Sequence, residues 1–192
     1  MAFQRGVDKW KLKKWLTVYA PAQFNSVAIG ELPVNDPGAA VGRSIVVGLD
    51  TLTHNPSHAY TNVLFKVSDA EGSTAHAALA RMELVYSYVR SLARRYHSIS
   101  DCVLPVTTRD GVPMVAKLLI VTKARSTRSR LKALRKEAAQ FVKEYFGDRD
   151  VDAVVGSIID RSFQGAMTAK LGHIAALNKV EMRKLELKAT DK

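Results

Sequence analysis

Residues 103–147 read VLPVTTRDGVPMVAKLLIVTKARSTRSRLKALRKEAAQFVKEYFG, and within them the hydrophobic pattern changes from that of strands to that of a helix. Two apolar runs, 103–107 and 115–121, flank an Asp-Gly dipeptide at 110–111 that favours a tight hairpin turn. From 131 to 145, apolar residues recur every three or four positions, as they do on one face of a helix. The stretch therefore predicts two antiparallel strands that lead directly into an amphipathic helix.

The rest of the chain mixes strand and helix patterns in the same way. Outside the hairpin, strand-like runs cover 15–19, 45–49, 63–67, 75–79 and 180–187, and helical patterns cover 85–96, 151–159 and 167–174. A slip in the alternation at Arg183 and Lys184 predicts a bulge in the last strand. Because strands and helices mix without regular alternation, we expect an α+β fold with a mainly antiparallel sheet and three to four amphipathic helices.

The sequence contains no repeat, low-complexity linker or composition shift that would divide it into domains. We therefore expect a basic N-terminal arm over residues 1–14, a single α+β domain over 15–188 and a short tail over 189–192. Pro105 and Pro113 place part of the hairpin at a sheet edge, because proline cannot donate a hydrogen bond to a neighbouring strand.

The positive charge of the chain is concentrated in two segments. Lysine and arginine total 29 against 18 aspartates and glutamates, which gives a net charge of +11. Residues 1–19 carry +4 and residues 81–136 carry +10, whereas 20–80 carry −3 and 137–192 are neutral. Concentrated positive charge is best tolerated opposite a polyanion, so nucleic acid is the leading partner. An anionic membrane would require a basic helix with an exposed apolar face, and we expect no membrane partner.

The strongly basic central segment places its cations in a regular pattern. Arg90 and Arg94 lie one turn apart on the first predicted helix of this segment. Arg128, Lys132 and Lys136 step by four along the second, and the loop before it is dense in arginine and hydroxyl side chains, which are common phosphate ligands. A merely solvated face is the alternative. The residues that we expect to contact RNA are Lys9, Trp10, Lys11, Lys13, Lys14, Arg43, Arg90, Arg94, Arg95, Lys123, Arg125, Arg128, Arg130, Lys132, Arg135, Lys136, Arg183 and Lys184.

Motifs of catalysis and cofactor binding are missing from the sequence. It contains neither of the glycine-rich phosphate loops, GxxxxGK[ST] and GxGxxG, nor a GxSxG nucleophile motif. The histidines at 54 and 58 lack the glutamate of a zinc-binding helix, and the acidic run at 148–152 lacks the later ligands of a calcium loop. Cys102 is the only cysteine and lies in an apolar strand, where we expect an inert buried thiol. We therefore expect no enzyme activity, no cofactor and no metal.

Several short pieces of the sequence, in a fixed order, resemble those of a known family over residues 9–188. The pieces are Trp10-Lys11, Ala20-Pro21, Asp36-Pro37, Gly42-Arg43, Leu52-Thr53, Glu71-Gly72, Thr74-Ala75-His76, Tyr88-Val89-Arg90-Ser91-Leu92, Arg94-Arg95, Val106-Thr107-Thr108, Asp110-Gly111, the 125–136 stretch, Val180-Glu181 and Arg183-Lys184. Their order and spacing are similar to those of the small-subunit ribosomal protein family of archaea and eukaryotes called S-three-a-e, also named e-type S-one.

The resemblance implies a structural, non-enzymatic component of the small ribosomal subunit in the cytoplasm. Such a protein would bind small-subunit rRNA on the platform near the mRNA exit side, beside neighbouring platform proteins and close to mRNA in the exit channel. The resemblance also implies a compact α+β fold with a barrel-like antiparallel sheet. The short arm, without the long lysine-rich extension of eukaryotic members, indicates an archaeal-type protein. At 175–178 the chain has Ala-Ala-Leu-Asn where the family has Tyr-Pro-Leu-Arg.

The residue patterns alone are also compatible with two other functions. The first is a free-standing RNA-binding module that acts on other RNAs. The second is a phosphate-handling enzyme that uses the basic face for its substrate, which would require a pocket of convergent polar groups with perturbed pKa values.

Overall fold

The computed structural model describes Trp10 and residues 13–188. Within these residues the chain forms eight strands and five α-helices. The strands are β1 Lys14–Tyr19, β2 Ala28–Val34, β3 Ser44–Gly48, β4 Thr61–Glu71, β5 Thr74–Leu84, β6 Ile99–Thr107, β7 Pro113–Thr122 and β8 Leu177–Leu187. The helices are α1 Leu49–Thr53, α2 Tyr86–Leu92, α3 Arg128–Gly147, α4 Val151–Ile159 and α5 Ser162–Leu171.

The described residues group into two compact units. The first consists of residues up to Val47 together with Leu64–Leu79, and the second consists of Gly48–Val63 together with the residues from Ala80 onward. Strands β4 and β5 contribute to both units. The prediction of a single domain over 15–188 stays a prediction.

In the first unit, β1 lies between two partners. It pairs antiparallel with β2 and parallel with β5, where Thr17 is opposite Thr74. Leu16 and Val18 point into the core, because alternate residues of a strand face the same side. Phe24 packs edge-on against Phe65, with 5.4 Å between the ring centroids.

In the second unit, β8 pairs antiparallel with β5 and β7, and β7 pairs antiparallel with β6. Strand β6 ends this strand order, which is the edge position that its proline predicts. Lys117 of β7 is opposite Lys184 and Leu118 is opposite Met182, so Arg183 is the extra residue of a bulge. The bulge predicted in the last strand is confirmed.

The predicted fold class is confirmed as α+β with a mainly antiparallel sheet. The described strands do not close into a barrel, so the barrel-like closure implied by the resemblance is not formed. Two elements were not predicted, namely β2 and the five-residue helix α1.

Helix α3 packs against β6 and α5. Its side toward the core carries Leu134, Ala138, Val142 and Phe146, all fully buried. Phe163 of α5 contacts the aromatic rings of α3, with its centroid 5.5 Å from that of Phe146. This packing fixes which side of α3 faces solvent.

The N-terminal cap of α4 comes from a residue far away in the sequence. Asp150 occupies the N-cap position, but its side chain forms no capping hydrogen bond. Instead, the Val151 backbone N–H donates to Oδ2 of Asp110 at 3.0 Å. Asp110 lies in the turn between β6 and β7, so the hairpin supplies the cap across a gap of 41 residues in sequence.

The predicted helix over 85–96 is too long. Helix α2 ends at Leu92, and Tyr96 adopts a left-handed backbone conformation with φ of 66°. Arg94 therefore lies beyond the helix rather than one turn above Arg90. The cause is tertiary, because the residues after Ala93 form hydrogen bonds with the end of β7 instead of continuing the helix.

Candidate nucleic-acid interface

The basic flank of α3 consists of Arg128, Lys132, Lys136 and Lys143. A step of four residues advances about 40° beyond a full turn, so these side chains follow one side of the helix. All four are exposed, and the buried stripe that ends in Phe146 lies beside them. The arrangement predicted for Arg128, Lys132 and Lys136 is formed.

The acidic residues of α3 lie on its other flank and face α5. Oε1 of Glu137 is 3.3 Å from Nε2 of His173, and Oε2 of Glu144 is 3.6 Å from Nζ of Lys170. Exposed pairs of this kind add little stability, well under about 1 kcal/mol each. The helical positions of Glu137 and Glu144 place both carboxylates of α3 away from the basic flank.

The cations of α3 and of its leading loop have no acidic partner. Among residues 13–188, no carboxylate lies within ion-pair distance of any of these side chains. They are Lys123, Arg125, Arg128, Arg130, Lys132, Arg135, Lys136 and Lys143. All are exposed, so their charge is available to an external anion.

Two loops of the second unit are tied together beside the start of α3. We call residues 93–98 and 123–127 the paired loops. The Ser98 N–H donates to Oγ1 of Thr122 at 3.1 Å, and the Ser126 N–H donates to Oγ of Ser98 at 3.0 Å. These bonds bring the loop with Arg94 and Arg95 next to the loop with Lys123 and Arg125.

Arg135 differs from its neighbours because its guanidinium is bonded to β6. Its Nε donates to Oγ of Ser100 at 2.8 Å, and Ser100 is fully buried. Burial raises the pKa of the nearby Cys102 thiol, and the Ser100 hydroxyl and Arg135 partly offset this rise. The buried thiol predicted for Cys102 is confirmed. Arg135 therefore fastens α3 to the sheet while it contributes positive charge.

Arg183 and Lys184 are neutralised within the protein. Nη1 of Arg183 pairs with Oδ2 of Asp101. Nζ of Lys184 lies 2.6 Å from Oε1 of Glu186 and 3.7 Å from Oε2 of Glu83. The hydrogen bond from Lys184 lowers the pKa of Glu186. These two cations have less free charge to offer RNA than the flank of α3.

Four of the predicted RNA contacts, Trp10, Lys13, Lys14 and Arg43, are described residues of the first unit. Nζ of Lys13 lies 4.3 Å from the ring centroid of Trp10, and Lys14 begins β1 with an exposed side chain. Nη1 of Arg43 donates to the Pro33 carbonyl at 3.1 Å. Lys9 and Lys11 lie outside the described residues.

Arg90 lies on α2, where its guanidinium carbon is 5.5 Å from the ring centroid of Tyr86. Tyr96 is not among the predicted RNA contacts, because the helical pattern over 85–96 includes it as the last residue. The structure shows its side chain 80% exposed in the paired loops. No local pattern distinguishes a tyrosine that ends a helical stripe from one that lies just beyond the helix.

These features define a basic α+β protein in which one helix flank and two adjacent loops carry a run of exposed cations that have no acidic partner among residues 13–188. Within the described residues, no helix is both long and apolar enough to cross a membrane. Comparison with known proteins then gives the family. The chain belongs to the Ribosomal S3Ae family, whose model matches residues 2–190.

Similar proteins from three archaea carry the name small ribosomal subunit protein eS1. The protein of Sulfurisphaera tokodaii is 34% identical over 180 residues, which cover 94% of this chain and 93% of the relative. That of Methanopyrus kandleri is 32% identical over 184 residues, covering 94% and 87%. That of Archaeoglobus fulgidus is 33% identical over 189 residues, covering 95% and 87%. The resemblance found in the sequence is confirmed, as is its archaeal type.

Proposed function

We propose that this chain is a structural component of the small ribosomal subunit in the cytoplasm, where it binds rRNA. Its partners are the small-subunit rRNA and neighbouring subunit proteins. Family membership and the name that the archaeal relatives carry support this role. The finer placement, on the platform near the mRNA exit side and close to mRNA, rests on the resemblance of the sequence.

The observation that carries the proposal is the separation of charge on α3. Its carboxylates lie next to Lys170 of α5 and to His173 just after it, whereas the cations of the opposite flank have no acidic partner among residues 13–188. From Arg128 to Lys136 this flank extends about 12 Å, and to Lys143 about 22 Å. A stripe of this length fits a run of phosphates better than a single small anion.

The chemistry of the flank fits recognition of the RNA backbone. Arginine binds phosphate oxygens in a bidentate manner, and lysine acts as a mobile point charge. Contacts to phosphates fix the position of a protein on RNA and carry no direct sequence information. The major groove of double-helical RNA is deep and narrow, so a helix that meets such RNA contacts the backbone and the shallow groove. The chain would therefore recognise the shape of folded rRNA.

Co-sedimentation separates an integral subunit component from a free-standing RNA-binding module. We expect the chain to remain with small subunits through a high-salt wash, because contacts with neighbouring proteins persist although salt weakens each phosphate contact. Crosslinks between RNA and peptides from residues 123–143 should be enriched over those from α5. Complete release of the chain by the wash, together with equal crosslinking of both regions, would contradict the proposal.

A further inference from the structure

Tyr96 is the most exposed aromatic side chain among the described residues, at 80%. Within that part of the chain, no other ring or cation stacks on it. Its φ of 66° lies in the left-handed region, which a bulky residue rarely adopts. An apolar ring held in solvent by an unfavourable backbone conformation gains no stability from packing, so its position calls for another explanation.

The backbone around Tyr96 is fixed by the paired loops. His97 Nδ1 lies 2.8 Å from the carbonyl oxygen of Thr122, which accepts its hydrogen bond. The hydroxyl of Thr122 accepts from the Ser98 N–H at 3.1 Å and donates to the Ala124 carbonyl at 2.7 Å. Tyr96 therefore directly precedes two residues that are bonded to the end of β7. A ring held in this way needs little further ordering on binding.

The two paired loops that hold Tyr96 also carry several free cations. Arg94 and Arg95 precede it in its own loop, and Lys123 and Arg125 lie in the loop that is bonded to it. All four are exposed, and none forms an ion pair within residues 13–188. An aromatic ring beside several cations is the composition of sites that bind single-stranded nucleic acid, where bases stack and the backbone follows the charge.

We propose that Tyr96 stacks on an unpaired RNA base while the cations of the paired loops hold the flanking phosphates. A base inside a duplex has no free face, so this contact requires a bulge, a loop or a single strand. The inference rests on the proposed function and narrows it, since it assigns unpaired nucleotides to the paired loops and backbone contacts to the basic flank.

The test compares two labelled RNA probes with the full-length chain by fluorescence anisotropy. One is a single-stranded oligouridylate of about 10 nucleotides, and the other is a blunt RNA duplex of about 16 base pairs. Tyr96→Leu should raise the Kd for oligouridylate about tenfold or more and leave the Kd for the duplex almost unchanged. Tyr96→Phe should bind both probes like the native chain, because it keeps the stacking ring.

Tyr86→Leu is the matched control, because Tyr86 is also highly exposed, at 72%, but lies on α2. It should bind both probes like the native chain. An unchanged Kd of Tyr96→Leu for oligouridylate, or an equal loss for both probes, overturns the inference. Native chain that binds the duplex but not oligouridylate also overturns it while leaving the proposed function intact. Native chain that binds neither probe would count against the proposed function itself.

Discussion

Arg135 both fastens α3 to the sheet and contributes positive charge, and comparison of Arg135→Ala with Lys132→Ala separates the two roles. Its Nε donates to the buried hydroxyl of Ser100, whereas Lys132 on the same helix is exposed and forms no ion pair among residues 13–188. Arg135→Ala should lower the free energy of unfolding by about 1–2 kcal/mol, because a buried hydroxyl loses its partner. Lys132→Ala should change it by less than about 0.5 kcal/mol. Urea denaturation measures both, and equal effects would contradict the role of Arg135.

Cys102 makes stability depend on pH in a defined direction. Burial raises the pKa of its thiol in the folded protein, so the native state keeps a proton that the unfolded chain loses above about pH 8.5. The thiol therefore contributes stability below that pH and loses the contribution as pH rises through its folded pKa. The difference in free energy of unfolding between the native chain and Cys102→Ala should shrink from about pH 7 to about pH 10. A constant difference in urea denaturation over this range would contradict the assignment.

At the residue scale, the sequence predicts which side chains are buried better than it predicts which residues form hydrogen bonds with each other. The position of Cys102 follows from the alternation of β6, and the bulge at Arg183 follows from a slip in the alternation of β8. The exposure of Tyr96 could not be predicted in this way. It depends on hydrogen bonds from His97 and Ser98 to Thr122, which lies about 25 residues away.

At the element scale, the hairpin between β6 and β7 stabilises the start of α4. Asp110→Ala removes the carboxylate that accepts from the Val151 N–H and should lower the free energy of unfolding by about 1 kcal/mol. Asp150→Ala, at the N-cap position, should have a smaller effect because its side chain forms no capping bond. Thermal denaturation followed by circular dichroism tests this order. A larger loss for Asp150→Ala would contradict it.

Long periodic elements could be predicted from the sequence, and short ones could not. The apolar stripe of α3 and the apolar run of β7 each extend over many residues and identify their elements. Strand β2 contains Gly30 and Pro33, which have low strand propensity, and it is held by pairing with β1. Helix α1 has only five residues, too few for a periodic signal.

At the scale of the whole molecule, folding determines which part of the net charge of +11 stays free. In the second unit, acidic residues of β5, β6 and β8 engage Lys117, Arg183 and Lys184. The acids of α3 lie next to Lys170 of α5 and to His173 just after it. The sequence predicted that the central segment is basic, but pairs between residues as distant as Asp101 and Arg183 form only in the folded chain. The cations of α3 and the paired loops are therefore among those that stay unpaired within residues 13–188.

The central claim is that the basic flank of α3 binds RNA phosphates, and the salt dependence of binding tests it most directly. The measurement is the slope of log K against log salt concentration for the blunt RNA duplex. Replacing Arg128, Lys132 and Lys136 by alanine should reduce the magnitude of that slope by roughly 2 to 3, about 0.9 for each lost contact on duplex. Stability should hold, because these side chains are exposed and alanine favours the helix.

A variant with Arg109, Arg161 and Lys188 replaced by alanine is the control. It loses the same formal charge from three exposed positions outside α3 and the paired loops. We expect the control to keep nearly the full slope of log K against log salt concentration. The α3 variant should show a slope that is smaller in magnitude by roughly 2 to 3. An unchanged slope in the α3 variant, or an equal reduction in both variants, would contradict the claim that α3 carries the affinity for RNA.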